Sequence, residues 1–224
     1  MSRFDFTRRA SILLVAAALW AGVALAAPQV ESVGGNLFLL EGGKRRQLTS
    51  TGRDSDAVLS PDGKWIAFVR TRATPEVDLD KEPSLREIFV LPVSGGEARL
   101  LLSRGTPCGK NRFLADFEAL DFLSDSKRLA FQSSWAATHG STHIVDVTTG
   151  ACTLVAAGNR LYVVKRGQYR DHLVVSLHKY FLTSGSYDWW WLITPTGEEV
   201  GPVTPDEGDG DTLADFREMY EDKL

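Results

Sequence analysis

The stretch from Ser60 to Val69 constrains the fold more than any other part of this sequence. Its residues are Ser-Pro-Asp-Gly-Lys-Trp-Ile-Ala-Phe-Val. Pro61 has φ fixed near the value that the second position of a type I turn requires, and Gly63 can adopt a positive φ. The residues from Trp65 onward are apolar, aromatic or β-branched, as in a strand buried on both faces. The stretch therefore predicts a tight β-hairpin with a buried second strand.

Similar hairpins recur along the chain and indicate a repeat. Four of them turn at Gly43, Gly96, Gly150 and Gly197, which are spaced 53, 54 and 47 residues apart. Units of four short strands with a period of about 40 to 50 residues are typical of β-propeller blades. We predict an all-β chain that forms a small or incomplete β-propeller of about three and a half to four four-stranded antiparallel blades, with a short C-terminal helix.

The repeat also predicts where the blades lie. A partial blade is expected at 30–49, and full blades are expected at 56–102, 117–156 and 159–203. A closed propeller normally has at least four blades and one blade shared by the two chain ends. Closure would require the C-terminal residues to supply what the first blade lacks, but their sequence predicts an acidic loop and a helix instead, so the ring is small, open or completed by a partner. If the ring is open, its edge should be covered by the C-terminal helix or by another chain.

Three segments follow from composition. Residues 1–26 combine early arginines, an apolar run and Ala24-Leu25-Ala26, which predicts a cleavable signal peptide, whereas the run is short for a membrane anchor. Residues 27–204 carry the propeller repeats. Residues 205–224 form an acidic loop and a short helix, for which Thr212 is the predicted cap. The helix should present one apolar face made of Leu213, Phe216 and Tyr220.

The repeat resembles a known family. The segments Leu48-Thr49, Asp56 to Phe68, Ile88 to Val90 and Gly95 to Glu97 are similar to the repeat of TolB-like β-propellers, itself related to the WD-repeat blade. This resemblance implies a propeller fold. It leaves function open, because propellers with this repeat serve as periplasmic interaction modules and as gating domains of prolyl-oligopeptidase-type peptidases.

Charge and motifs exclude some classes of function. After removal of residues 1–26 the chain has 22 basic and 28 acidic residues, and this acidic balance is unfavourable for binding nucleic acid. No G-x-S-x-G nucleophile motif and no paired zinc-ligand spacing is present in the sequence. Ser176 and His178 lie two residues apart, but this alone does not make a catalytic pair. We expect no enzymatic activity, no cofactor and no metal.

Cys108 and Cys152 are the only cysteines in the chain. An even number of cysteines in an exported protein permits a disulfide, and the alternative is two buried thiols. Spacing along the chain does not decide between them, because a disulfide requires two Cα atoms within about 7 Å.

Two segments that depart from the repeat are candidates for binding. An insertion from Thr71 to Ser84 is longer than a blade hairpin needs, and its acidic residues are expected to contact a partner; they are Glu76, Asp78, Asp80 and Glu82. The second segment is an aromatic run in which Trp190 should face away from Tyr187, Trp189 and Trp191. At least one of its faces is expected to pack between blades, and the other offers a contact surface for a protein or a sugar.

These features predict an exported, non-enzymatic interaction module of the cell envelope, located in the periplasm or secreted. Its partners are expected to be other envelope proteins, with no stable membrane span after cleavage of the signal peptide. An open ring would permit a homo-oligomer. Two alternatives remain, namely a small-ligand or glycan binder that uses the aromatic patch and an accessory propeller of a hydrolase or peptidase system.

Overall fold

The fold was determined from a computed structural model, which describes residues 27–72, 85–109, 114–136, 139–204 and 211–221. Within these ranges the chain forms four antiparallel sheets and one helix. The first sheet contains β1 (Gln29–Val33), β2 (Asn36–Glu41) and β3 (Lys44–Gln47). The second contains β4 (Asp54–Leu59), β5 (Trp65–Thr71), β6 (Arg86–Pro92) and β7 (Arg99–Leu102).

The third and fourth sheets repeat the same plan. The third contains β8 (Ala115–Phe122), β9 (Arg128–Ala136), β10 (His139–Asp146) and β11 (Cys152–Ala157). The fourth contains β12 (Asn159–Val163), β13 (Leu173–Tyr180), β14 (Ser186–Ile193) and β15 (Glu199–Pro202). In every sheet the strands are hydrogen-bonded in chain order.

The predicted fold class is confirmed. Each sheet is a blade of sequential antiparallel strands, as in a β-propeller, and the blades pack face to face along the chain. Within the described residues the blades form an open arc, because the first and fourth sheets do not close into a ring. In the part of the chain that the structure describes, the first blade has three strands. The glycine turn between β2 and β3 matches the turn between β6 and β7, so the missing strand is the one equivalent to β4.

Apolar side chains fill the space between successive blades. Leu37 of the first blade packs with Ile66 and Phe68 of the second. Phe117 and Phe131 of the third blade belong to the cluster that contacts the second. Each interface thus buries one face of a sheet that a single blade could not bury alone.

The C-terminal segment forms the predicted short helix. In the described residues it is α1 (Thr212–Tyr220), which packs against the fourth blade and adds no strand to the first. Phe216 packs with Trp190 and Leu192 there, and Leu213 and Tyr220 pack around them as predicted. The helix thus covers an apolar sheet face that a further blade would otherwise cover.

The predicted cap of this helix is wrong, although the helix itself is present. Asp211 is the N-cap residue and makes no side-chain capping hydrogen bond. Thr212 lies one position further on, where its side chain is buried rather than turned back to the helix end.

The predicted signal peptide lies outside the described residues. Among the residues that are described, no helix is long and apolar enough to cross a membrane.

Candidate functional site

The hairpin of β13 and β14 carries the aromatic run. Its register pairs Lys179 with Tyr187 and Leu177 with Trp189, so these side chains share one face of the sheet. Trp190 points to the opposite face, where it is buried beneath α1. The predicted alternation of this run is therefore present, and Trp190 is a packing residue.

Three aromatic rings form a ladder along the exposed end of this hairpin. The ring centroids of Phe181 and Tyr187 are 4.7 Å apart, and those of Tyr187 and Trp189 are 4.6 Å apart. Both pairs are tilted, at 44° and 49°, within the range that favourable aromatic pairs adopt. Both neighbours of Tyr187 are thus aromatic, so the ladder is a rigid apolar surface rather than a set of separate rings.

The tip of the hairpin is the most exposed apolar part of this blade. Tyr180, Phe181 and Leu182 are 72%, 53% and 106% exposed. The turn that holds them is ordered, because Phe181 donates its N–H to the carbonyl of Gly185 at 3.1 Å. Gly185 has φ of +86°, which favours glycine. Three consecutive exposed apolar residues on a hydrogen-bonded turn are unusual for a surface that contacts only solvent.

A shallow open depression of about 530 Å³ lies beside this tip, between the third and fourth blades. Its floor includes Ala156 and Leu177, and its rim includes Lys179, Tyr180 and Glu199. The depression continues the aromatic surface toward β11. Together they form a surface that combines apolar side chains with polar residues at its edge.

Polar contacts are present on both faces of this hairpin. Lys179 forms an ion pair with Glu199, and its Nζ lies 3.6 Å from the ring centroid of Trp191. Trp191 is only partly exposed, and it packs against the core between the third and fourth blades. On the other face of the hairpin, His178 Nδ1 lies 2.9 Å from Asp188 Oδ1. Tyr187, Trp189 and Trp191 are all half-buried. Trp191 packs into the core between the blades, whereas Tyr187 and Trp189 lie in the ladder that ends at the exposed tip.

A second group of polar contacts holds α1 in place. Glu221 is buried, accepts a hydrogen bond from the Tyr162 hydroxyl and accepts two from the backbone N–H groups of Lys165 and Arg166. Burial, together with the Glu221 carboxylate, raises the pKa of Tyr162 well above its usual value. Burial also raises the pKa of Asp121, although its ion pair with Lys165 opposes that shift. These groups stabilise the scaffold behind the hairpin.

The other predicted contact segment is the acidic insertion after β5. Glu76, Asp78, Asp80 and Glu82 lie outside the described residues. Arg72 and Leu85 flank them, and Arg72 donates its N–H to the Leu85 carbonyl at 2.7 Å. The insertion therefore leaves and re-enters the second blade at one point.

The two cysteines meet at the interface of the second and third blades. Cys108 and Cys152 form a disulfide with Cα atoms 5.1 Å apart. His143 lies beside it, with Nδ1 3.2 Å from Cys108 Sγ. Sequence reasoning did not connect His143 with the cysteines, because 35 residues separate His143 from Cys108 and only blade packing brings them together.

The blades and their stacking define the class of this protein as a β-propeller-type repeat protein. No protein-family model and no curated protein matches the chain. Solved structures of propellers are similar to it. They include the β-propeller domain of the Trilobed protease from Pyrococcus furiosus, at 18% identity over 78% of this chain and 52% of that chain, with a TM-score of 0.48.

Two TolB structures are also similar. A putative TolB from Agrobacterium tumefaciens is 16% identical over 80% of this chain and 58% of that chain, with a TM-score of 0.49. TolB from Acinetobacter baumannii is 15% identical over 80% of this chain and 53% of that chain, with a TM-score of 0.42. The chain thus spans between 52% and 58% of the length of these three structures.

Proposed function

We propose that this chain is an exported, non-catalytic propeller-type module, related to the TolB-like repeat family, that binds another protein of the cell envelope. The contact surface in this proposal is the outer end of the fourth blade. It consists of Tyr180, Phe181 and Leu182 with the adjoining ladder of Tyr187 and Trp189, and we call it the aromatic tip.

The observation that carries the proposal is the exposure of three consecutive apolar residues on an ordered turn. Aromatic side chains are enriched in protein interfaces, because they bury a large area at a small cost in conformational entropy. The disulfide between Cys108 and Cys152 supports export, because such bonds persist in oxidising compartments.

The aromatic tip favours a protein partner over a sugar. A glycan platform needs an open ring face, whereas Tyr187 has aromatic rings close on both sides. In the alternative of a peptidase accessory module, the partner would be a hydrolase that binds at the same surface. Identifying the captured partner separates these cases.

Site-specific photo-crosslinking in intact cells tests the proposal. A photoreactive residue replaces Leu182 at the tip, and the matched control replaces Val33, which is 49% exposed on the first blade. We expect a discrete crosslinked protein from position 182 that is absent from position 33, and its loss when Phe181→Ser is added. Equal adducts at both positions, or none at position 182, would contradict the proposal.

A fluorescence titration tests the glycan alternative. Purified protein is titrated with cell-wall and lipopolysaccharide-derived saccharides while tryptophan emission is recorded. A saturable change that is lost in Trp189→Ala would favour sugar binding and count against a protein partner.

A further inference from the structure

The disulfide of Cys108 and Cys152 has a buried histidine as its neighbour. Cys108 and His143 are each 1% exposed, and Cys152 is partly exposed. The two Sγ atoms and a ring nitrogen of His143 all lie within 4.8 Å of one another. Two sulfur ligands and one imidazole therefore converge at the interface between the second and third blades.

Hydrogen bonds select the tautomer of His143. Ser141 donates its hydroxyl proton to the carbonyl of Ser133 at 3.1 Å. The Ser141 oxygen lies 2.8 Å from His143 Nε2 and, having given up its only proton, accepts a hydrogen bond from the Nε2–H. Nδ1 then carries the lone pair, and it is this atom that lies 3.2 Å from Cys108 Sγ.

This arrangement matches the surroundings of a metal-ligating histidine. Such histidines donate their second ring N–H to a fixed acceptor, which orients the ring and keeps the lone pair on the ligating nitrogen. Stacking fixes the ring further, because the Phe131 ring lies 5.2 Å from it, centroid to centroid, at an interplanar angle of 16°. The imidazole is thus held in place with its lone pair toward the sulfur atoms.

We propose that reduction of this disulfide converts Cys108, Cys152 and His143 into a binding site for a thiophilic metal ion, Cu(I) or Zn(II). This inference is independent of the proposed protein contact at the aromatic tip. The ion would take two thiolate sulfurs and His143 Nδ1, with no other protein ligand required.

The distances suit such an ion. Zinc lies about 2.3 Å from sulfur and about 2.0 Å from an imidazole nitrogen, which places its ligand atoms roughly 3.5 to 4 Å apart. Breaking the S–S bond allows the two sulfur atoms to separate by this amount through side-chain rotation. Thiolate ligands select Cu(I) and Zn(II) over hard cations such as magnesium or calcium.

The conversion needs a dithiol reductant. One thiolate of the reductant attacks Cys152 Sγ, the more exposed sulfur, and Cys108 leaves as a thiolate. The second thiol of the reductant resolves the mixed disulfide and is itself oxidised to a disulfide. Two electrons and two protons pass to the protein, and binding of the ion as a bis-thiolate releases two protons.

Metal binding to the oxidised and reduced forms of the same mature protein tests the proposal. Protein reduced with dithiothreitol and desalted without oxygen is titrated with Zn(II) against a chromophoric chelator, and separately with Cu(I) against a Cu(I) chelator. We expect one equivalent to bind the reduced protein and none to bind the oxidised protein. Which titration gives the tighter site identifies the ion.

Four variants make the result specific. Cys108→Ser should abolish the site, and Ser141→Ala should weaken it by about 10- to 100-fold, because it removes the acceptor that orients His143. His172→Gln, on the fourth blade, is the matched control and should bind as the unaltered protein does. Cobalt(II) substitution should give a sulfur-to-metal charge-transfer band that shifts in His143→Asn.

Three outcomes would overturn the proposal. They are failure of the folded, reduced protein to bind either ion, equal affinity in His143→Asn, and unfolding of the reduced protein as seen by circular dichroism. An unfolded reduced form counts against it because the blades must hold His143 at the cysteines.

Discussion

The backbone N–H of Asp62 donates a hydrogen bond to Ser126 Oγ at 3.0 Å and so joins equivalent turns of the second and third blades. Ser126 occupies the place in its turn that Gly63 occupies in the other, and both have positive φ, at +59° and +69°. The next pair of blades is joined in the same region, where Ser124 donates its N–H to Asp171 Oδ1 at 2.7 Å. The turns that form the hairpins thus also connect the blades.

Ser126 tests whether this connection contributes to stability. Ser126→Ala should destabilise the protein by about 1 kcal/mol, because it removes the acceptor for Asp62 and keeps a side chain at positive φ. Ser126→Gly loses the same hydrogen bond but relieves the backbone strain, so its free energy of unfolding should be closer to that of the unaltered protein. Urea unfolding of the unaltered protein and the two variants measures their order of stability. If alanine and glycine are equally destabilising, strain at this position is negligible.

Asp54 provides a pH-dependent test of a buried ion pair within the second blade, where β4 pairs with β5. Its side chain is fully buried and receives two hydrogen bonds from Arg70, at 2.6 and 3.0 Å. Burial alone would raise the pKa of Asp54, but hydrogen bonds from Arg70, Thr49 and Thr51 outweigh it and lower the pKa below its usual value. The folded state therefore favours the charged carboxylate.

The lowered pKa of Asp54 determines how the stability of the fold changes with pH. A carboxylate with a lowered folded pKa stabilises the fold above its unfolded pKa of about 3.9, and this stabilisation is lost as the pH falls through the folded value. Asp54→Asn should cost about 3 kcal/mol at pH 7, because it leaves a largely buried arginine without its counter-charge. The difference in stability between Asp54→Asn and the unaltered protein should shrink below about pH 4. Urea unfolding midpoints of both proteins, recorded from pH 3 to pH 7, measure this change. A constant difference would contradict this assignment.

Local signals explain why the blades could be predicted from the sequence. Turn residues such as Pro61 and Gly63 act within a few positions, and an apolar run such as Ile66 to Val69 must be buried wherever it lies. The alternation that buried Trp190 has the same origin, because successive residues of a strand face opposite ways.

Contacts between blades could not be predicted in this way. The pairing of Cys108 with His143 depends on how the second and third blades pack, and no local pattern encodes that packing. The position of α1 is a similar case, because its apolar face was visible in the sequence but the surface it covers was not. The aromatic tip could be predicted only in part. Its aromatic residues are evident in the sequence, but their exposure depends on how the fourth blade folds.

Gly158 lies in the connection between the third and fourth blades, where its backbone is packed closely against β13. A Cβ at this position would lie 2.5 Å from the Ser176 carbonyl oxygen, which cannot move without shifting β13. Gly158→Ala should therefore destabilise the protein by about 2 to 3 kcal/mol through overpacking. Gly201→Ala is the matched control, because a Cβ there meets nothing within 4 Å and its φ is not positive. Thermal unfolding of both variants tests the difference, and equal stability would contradict the predicted overpacking against β13.

Glu221 tests whether α1 is held on the fourth blade by the buried contacts at its C-terminal end. Glu221→Ala leaves the N–H groups of Lys165 and Arg166 without this acceptor and removes the partner of the Tyr162 hydroxyl. Each lost buried contact costs about 1 to 3 kcal/mol, more than a short helix supplies on its own. The helix should therefore detach and expose Trp190 to water while the other blades stay folded.

Tryptophan emission and hydrogen exchange measure this detachment. Emission should shift to longer wavelength in Glu221→Ala, and amide exchange should rise across 211–221 but not in the second blade. Glu218→Ala, on the exposed side of the same helix, is the matched control and should leave both signals unchanged. Because α1 covers the face of the fourth sheet opposite the ladder of Tyr187 and Trp189, partner crosslinking from position 182 should survive its detachment. Loss of that crosslink would mean that α1 also holds the aromatic tip in its binding conformation.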